Sequence, residues 1–365
     1  MKKSYSFLMA AALVAGSLTS CTVNDDIQTK SDSQGLKEIK FSAGDITRGT
    51  VFTGTTAPTD MLVYAFQNND AKTKHIDGAT FTKGDDNKYT CATTYYWPTG
   101  TETTDQLNFL ALYPTSVTSA EGFVAPTEAS VFTYKASTTI GSQVDLMGAL
   151  AEGKTKSSGD VEMAFKHLLS QIVFTGYVES AANLKVTVSG ISLCNIKTTG
   201  TSSKDGSDLK LTASDDKDTY AVTFTGKELG TDADSPTELT TTADNALLLI
   251  PQTGTAWNTS SSISDNNSGD KNVYLQVKVT AQNKTNDDYV LGTSSEAATV
   301  YFPLTPNWTA AKKYTYKLHF GKKDDATDGL GRKDDGEKET INATAITLTA
   351  TVTDWIDAAA EEITF

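Results

Sequence analysis

Two residues near the start of the chain stand where their side chains suit chemistry done to the protein rather than by it. Cys21 closes the run Leu18-Thr19-Ser20-Cys21, which follows Lys2, Lys3 and an apolar stretch over residues 7–16. A positive start, an apolar core of this length and small residues before a cysteine make an export signal, residues 1–20, too short to stay as a membrane-spanning helix. A thiol in this place suits acylation; the other reading is an ordinary signal followed by a chance cysteine. Two or more acyl chains hold a protein firmly at a membrane without a transmembrane helix. Arg48 has a different setting, Ile46-Thr47-Arg48-Gly49-Thr50, which reads as an exposed loop open to a protease. Arginine is scarce: Arg48 and Arg332 are the two arginines among 31 basic residues, so an Arg-specific protease has two sites to choose from.

Nothing comparable points to catalysis on a substrate. The sequence has no Gly-x-Ser-x-Gly elbow, no phosphate-binding glycine loop and no His-Glu-x-x-His. The three histidines, His75, His167 and His319, are far apart, and Cys91 and Cys194 have no metal-ligand spacing, so neither a zinc site nor another cofactor is expected. The two cysteines read as buried free thiols. His167 lies in an alternating apolar segment and reads as a hydrogen-bonded packing residue rather than a base. The Asp-rich pieces at 265–270 and 324–328 lack EF-hand spacing and read as solvated loops. Trp97, Trp308 and Trp355 flank apolar strands, which favours core packing over a sugar-binding platform.

The elements that position these residues are strands. Charged residues make up 21% of the 365-residue chain and apolar ones 38%, within the globular range. Thr, Ser, Asp and Gly separate short apolar runs, and helical periodicity is scarce, so the fold class is all-β. A net charge of -14 repels phosphate backbones and excludes nucleic acid as a natural partner. After a polar tether, Ile39, Phe41 and Ala43 alternate with Lys40 and Ser42 as a half-buried strand. Further strands are expected at 61–66, 89–96, 107–114, 184–188, 191–196, 220–224, 246–250, 273–281, 299–304, 314–320, 346–353 and 361–365, with a hairpin around 84–87, and residues 145–149 close the first half. The Gly/Ser/Lys-rich stretch 153–159 divides the chain into domains at 49–157 and 158–365, after a leader at 21–48. The charged segment 321–339 reads as a mobile exposed loop.

Several stretches together resemble one family. Tyr95-Tyr96-Trp97-Pro98, residues 109–114, Phe165-Lys166-His167-Leu168-Leu169-Ser170-Gln171, Leu248-Leu249-Ile250-Pro251-Gln252, Tyr301-Phe302-Pro303-Leu304 with Trp308 and Tyr314-Thr315-Tyr316, and Val352-Thr353-Asp354-Trp355 keep its order over nearly the whole chain. The family is the fimbrillin-like proteins of Gram-negative Bacteroidetes, which include the type V pilins. The run ending in Cys21 likewise resembles the bacterial lipobox. The resemblance implies two tandem transthyretin-like Greek-key β-sandwich domains, made as an outer-membrane lipoprotein precursor that ends in a cell-surface fimbrium. It also implies that an Arg-specific protease cuts after Arg48, that the strand holding Ile39, Phe41 and Ala43 is lost, and that the opened groove takes a terminal strand of a neighbouring subunit. Carried onto this sequence, the donor lies within about 346–365 and includes Ile346, Leu348, Ala350, Val352 and Trp355.

The physics of the implied exchange is straightforward. An emptied sandwich exposes apolar side chains and unpaired backbone groups, which invites strand addition. A head-to-tail contact of this kind does not close, so it propagates as a filament. The expected partners are other copies of the chain or related subunits, the protease, the outer membrane through Cys21, and a host glycan or protein receptor. A second reading stays open, a monomeric surface lipoprotein adhesin or a fimbrial tip or anchor protein that binds glycan or protein. Also open is whether the protease reaches Arg332 or is discouraged by Asp334 and Asp335.

Overall fold

The computed structural model describes residues 36–43, 58–68, 70, 72–85, 88–100, 105–241, 245–322, 331–341, 344–355 and 361–363, nearly all of it strand and loop. Cys21, Arg48 and Gly49 lie outside the described residues. Among the described residues, the α-helix is the short turn Ile263–Ser268, capped by the Ser262 hydroxyl, which accepts from the Asp265 N–H at 3.1 Å. It occupies a stretch expected as an open loop.

The first sheet has eight strands, in the spatial order Lys166–His167, Met147–Lys154, Leu107–Tyr113, Asp60–Gln67, Lys74–Lys83, Lys88–Thr90, Phe41–Ser42 and Val161–Glu162. Its two outermost strands are near neighbours in sequence, so the sheet curls round on itself and encloses a core. Ile39, Phe41, Met61, Val63, Phe81, Trp97, Phe109, Val161 and Phe165 are among the side chains in it. Strand Asp60–Gln67 explains why Met61-Leu62-Val63-Tyr64-Ala65-Phe66 is apolar throughout. Side chains alternate across a strand, and here Met61, Val63 and Ala65 enter this core while Leu62, Tyr64 and Phe66 enter a second core behind it. Strand Leu107–Tyr113 does the same, with Phe109 on one side and Leu110 and Leu112 on the other.

Most of the rest of the second core comes from two further sheets, with Phe132, Tyr134, Leu209 and Leu211 added from a third. In one, Ser170–Val178 runs parallel to Lys312–Lys322, which pairs antiparallel with Thr344–Asp354. In the other, Leu184–Lys197 lies between Lys217–Glu228 and Tyr274–Asn283. Residues 184–188 and 191–196, expected as two strands, are one. Ser189-Gly190, the gap between the two expected strands, forms a bulge, shifting the register between Val188 and Gly190 without ending the strand. A four-stranded sheet, Asp208–Ala213, Thr199–Asp205, Val131–Lys135 and Val124–Glu128, joins segments from both halves of the chain. The eight-stranded sheet runs past the expected boundary at 157, because Val161–Glu162 and Lys166–His167 pair within it and the chain changes sheet only after Leu168-Leu169.

Candidate functional site

Residues 37–43 are seated as an inner strand of the curled sheet. Along its first part, the Ile39 N–H donates to the Tyr95 carbonyl at 2.8 Å and the Trp97 N–H donates to the Lys37 carbonyl at 2.9 Å. Farther along, Phe41 lies opposite Tyr89 on an antiparallel neighbour and beside Val161 on a parallel one. The Val161 N–H donates to Lys40 O at 2.8 Å and the Met163 N–H to Ser42 O at 2.9 Å. Ile39 and Phe41 are fully buried, and Ala43 packs half-buried against the same core. The Phe41 ring meets Phe81 and Phe109 edge-on, with centroids 4.8 and 5.3 Å away, and Trp97 closes on Phe109 at 5.7 Å. On the outward side, Lys40 and Glu38 are 3.5 Å apart and exposed, a contact of little energetic weight.

Taking this strand away would strand the Trp97, Val161 and Met163 amides and open the apolar bed under Phe41. At about 1.5–3 kcal/mol for each large apolar side chain, Ile39 and Phe41 hold the strand with roughly 3–6 kcal/mol of burial. The seat also accounts for two stretches read differently from sequence. Residues 89–96 do not form one strand: Lys88–Thr90 pairs with Phe41–Ser42, the chain then leaves the ladder, and Tyr95 and Trp97 return to bind Ile39 and Lys37. The alternation Val161, Met163, Phe165, which looks like the start of another domain, is the opposite wall of the slot.

The C-terminal residues occupy a different sheet. Thr344–Asp354 pairs along its whole length with Lys312–Lys322, matching Ile346 with Phe320, Leu348 with Leu318, Ala350 with Tyr316 and Val352 with Tyr314. Ile346 and Ala350 are buried, and Leu348 and Val352 are half-buried. Trp355 is buried too and stacks on His167 at 4.4 Å, while His167 Nδ1 lies 2.7 Å from Asp145 Oδ1. His167 is thus a packing residue with a polar partner. Glu361–Ile363 adds outside Ala350–Val352. The residues expected to leave and those expected to donate are therefore not paired within one chain: Ile39 to Ala43 lie in the first sheet and Ile346 to Val352 in another, while Trp355, past the end of that strand, packs on His167 of the first.

The charged segment is only partly as expected. Residues 323–330 lie outside the described residues, but 331–339 fold back on the body and Arg332 is half-buried. The open-loop expectation for Arg332 is corrected by its backbone pairing with Tyr301 in both directions.

Little else among the described residues suits chemistry. All four tryptophans, Trp97, Trp257, Trp308 and Trp355, are buried, so none offers a flat exposed face. Cys91 and Cys194 are free; Cys91 is only half-buried, and burial pushes the Cys194 thiol up. Among the described residues no group of His, Cys, Asp and Glu is placed to hold a metal, and no helix is long and apolar enough to cross a membrane. An open cleft of about 700 Å³ is lined by Lys166, Lys197, Asp208, Lys210 and Trp308. Lys166 is tied to Asp208 at 2.6 Å and Lys197 to Asp215 at 3.1 Å, so the charge of these lysines is already countered.

A family model described as fimbrillin-like matches residues 47–355. Among solved structures, a fimbrial protein from Bacteroides vulgatus superposes with a TM-score of 0.57 at 16% identity, covering 87% of this chain and 99% of that one. The likeness shows a shared fold. The fimbrial anchor protein Mfa2 of Porphyromonas gingivalis matches at TM-score 0.38 and 8% identity, over 90% of this chain and 100% of its own. The tip fimbrial protein Mfa3 of the same organism matches at 0.38 and 10%, over 88% and 99%. No curated protein sequence matches the chain.

Proposed function

Because the chain belongs to the fimbrillin-like family, we propose that it is a structural subunit of a cell-surface fimbrium, without a catalytic step of its own, that supports adhesion. It is exported as a precursor lipidated at Cys21 and held at the outer membrane. Cleavage between Arg48 and Gly49 frees residues 37–43 from the body. The vacated slot, with its unpaired Trp97, Val161 and Met163 amides, then takes a C-terminal strand, within about 346–365, from the next copy or a related subunit. The observation that carries this reading is the seat of residues 37–43: a short strand, inside a sheet rather than at its edge, joined to the following chain through the segment that holds Arg48. Filling such a slot in cis and then in trans satisfies the same donors and the same apolar bed.

The donor strand starts from a paired position, since Thr344–Asp354 is bonded to Lys312–Lys322. Exchange therefore requires that pairing to open, and the outermost Glu361–Ile363 strand is the shortest piece to detach. Treating the purified precursor with an Arg-specific protease tests the proposal. Ladders of SDS-resistant multimers from the wild type, and none from Arg48→Ala, are expected. A product cut at Arg48 that stays monomeric would end the strand-exchange reading.

A further inference from the structure

The chain carries a second arginine, and its surroundings differ from those expected of a loop. The Arg332 N–H donates to the Tyr301 carbonyl at 2.7 Å, and the Tyr301 N–H donates back to the Arg332 carbonyl at 2.9 Å. Residues on both sides are held as well. The Gly331 N–H donates to Ile346 O at 2.8 Å, the Lys333 N–H to Glu337 O at 2.8 Å, and the Asp334 carbonyl accepts from Ile263 N at 2.8 Å. The side chain is half-buried; its Nε is shielded from solvent, and Nη1 lies 3.4 Å from the Gly336 carbonyl. The turn is pressed onto the body at Gly336, whose φ is +93° and where an added Cβ would stand 2.0 Å from the Thr259 carbonyl oxygen.

A protease takes its substrate as an extended strand whose backbone groups pair with the enzyme and whose specificity side chain enters a pocket. At Arg332 the backbone groups are already paired with Tyr301, and the guanidinium is folded inward. Cleavage there has to wait for the 331–339 turn to lift off the body, so its rate follows the population of the open form. We infer that Arg332 is a cryptic cleavage site, shielded by the Tyr301 bridge and the Gly336 turn, so that an Arg-specific protease acting on the folded chain leaves the C-terminal strands attached. This rests on the proposed processing at Arg48, and it adds a reason why the same enzyme spares the bond after Arg332. The shield is the fold and not the acidity of Asp334 and Asp335. The same turn also holds the start of the C-terminal strand through the bond from Gly331 to Ile346.

The test is a time course of the full chain with an Arg-specific protease, read by intact mass. Release of peptide 333–365 is followed separately from the cut after Arg48. A synthetic peptide spanning residues 326–340 reports the intrinsic rate. The folded chain should release 333–365 at least about 100-fold more slowly than the peptide is cut. Gly336→Ala, which cannot keep the turn docked, should raise that release at least about tenfold, while Asp334→Asn with Asp335→Asn should leave it slow. Release within about threefold of the peptide rate overturns the inference, and so does a peptide that is itself resistant until the two aspartates are replaced. The peptide comparison does not depend on how Gly336→Ala folds. Neither readout depends on whether the product cut at Arg48 assembles, so monomeric product would end the proposed function and leave the shielding of Arg332 standing.

Discussion

Replacing Phe41 by alanine isolates the seat of residues 37–43 from the rest of the molecule. Phe41 is fully enclosed, with Phe81 and Phe109 edge-on to its ring. Truncating such a phenylalanine costs about 3–5 kcal/mol, comparable to the whole burial that Ile39 and Phe41 provide. The strand is short and its core is separate from the larger one, so the loss should appear as local opening and not as collapse of the fold. Three amides report it directly, because the N–H groups of Trp97, Val161 and Met163 donate to Lys37, Lys40 and Ser42. At 1.4 kcal/mol per factor of ten, their hydrogen-exchange protection should fall by roughly 10² to 10³-fold or more. Amides in the ladder between Ser170–Val178 and Lys312–Lys322 should hardly change. If all amides lose protection together, the strand is not a separable element. If the three reporters keep theirs, the ring does not hold it.

Three further outcomes follow from the same geometry. Burial holds the His75 imidazole below its ordinary range, although Nε2 lies 2.7 Å from the Tyr96 carbonyl. The unfolded chain therefore takes up the proton first, so the stability that His75 contributes is complete above about pH 6.5 and is lost as the pH falls from there towards its folded value. The urea midpoint of wild type should drop more between pH 7.5 and 5.5 than that of His75→Gln, and equal drops would contradict this. Trp355→Ala removes a buried ring and the stack on His167 and should cost about 3–5 kcal/mol in chemical denaturation; a loss below about 1 kcal/mol would mean that the end of the C-terminal strand is not pinned there. Tyr316→Phe leaves the buried Trp308 Nε1–H, which donates to the Tyr316 hydroxyl at 2.9 Å, without its acceptor and should cost about 1–3 kcal/mol; an unchanged stability would show that the indole finds another acceptor.

Local patterns were legible in the sequence wherever one physical rule acted alone. Ile39, Phe41 and Ala43 alternate because one face of their strand is buried, and the long alternation ending at Val352 has the same cause. Legibility failed where distant segments decide. Nothing near Val161 and Met163 announces that they wall the slot of a strand some 120 residues earlier, since a parallel pairing leaves no turn between its partners. Ser189-Gly190 looks like a break because propensity is local, whereas pairing on both sides carries the strand through it. The polar strands Thr199–Asp205 and Asp208–Ala213 carry too little apolar alternation to stand out, although Gly206 at φ +62° marks their turn. Trp257 gives no periodic signal, yet it fills a small cluster with Tyr274, Ile263 and Cys194. Arg332 misled for a related reason: charge composition suggests a loose loop, and only the backbone pairing with Tyr301 reveals that the loop is tied down.

Under the proposed strand exchange, one slot is filled first in cis and then in trans. Lys88 lies opposite Ser42 at its rim and is exposed enough to carry a photo-reactive side chain, p-benzoylphenylalanine, in its place. Irradiating the precursor, and then the protease-treated assembly, and mapping the cross-links by mass spectrometry shows which segment fills the slot in each. The precursor should give a cross-link to residues 40–43 of its own chain, and the assembly one to residues within 346–365 of another. Retention of the 40–43 cross-link in assembled material, or capture of some other segment, would contradict strand exchange at this slot.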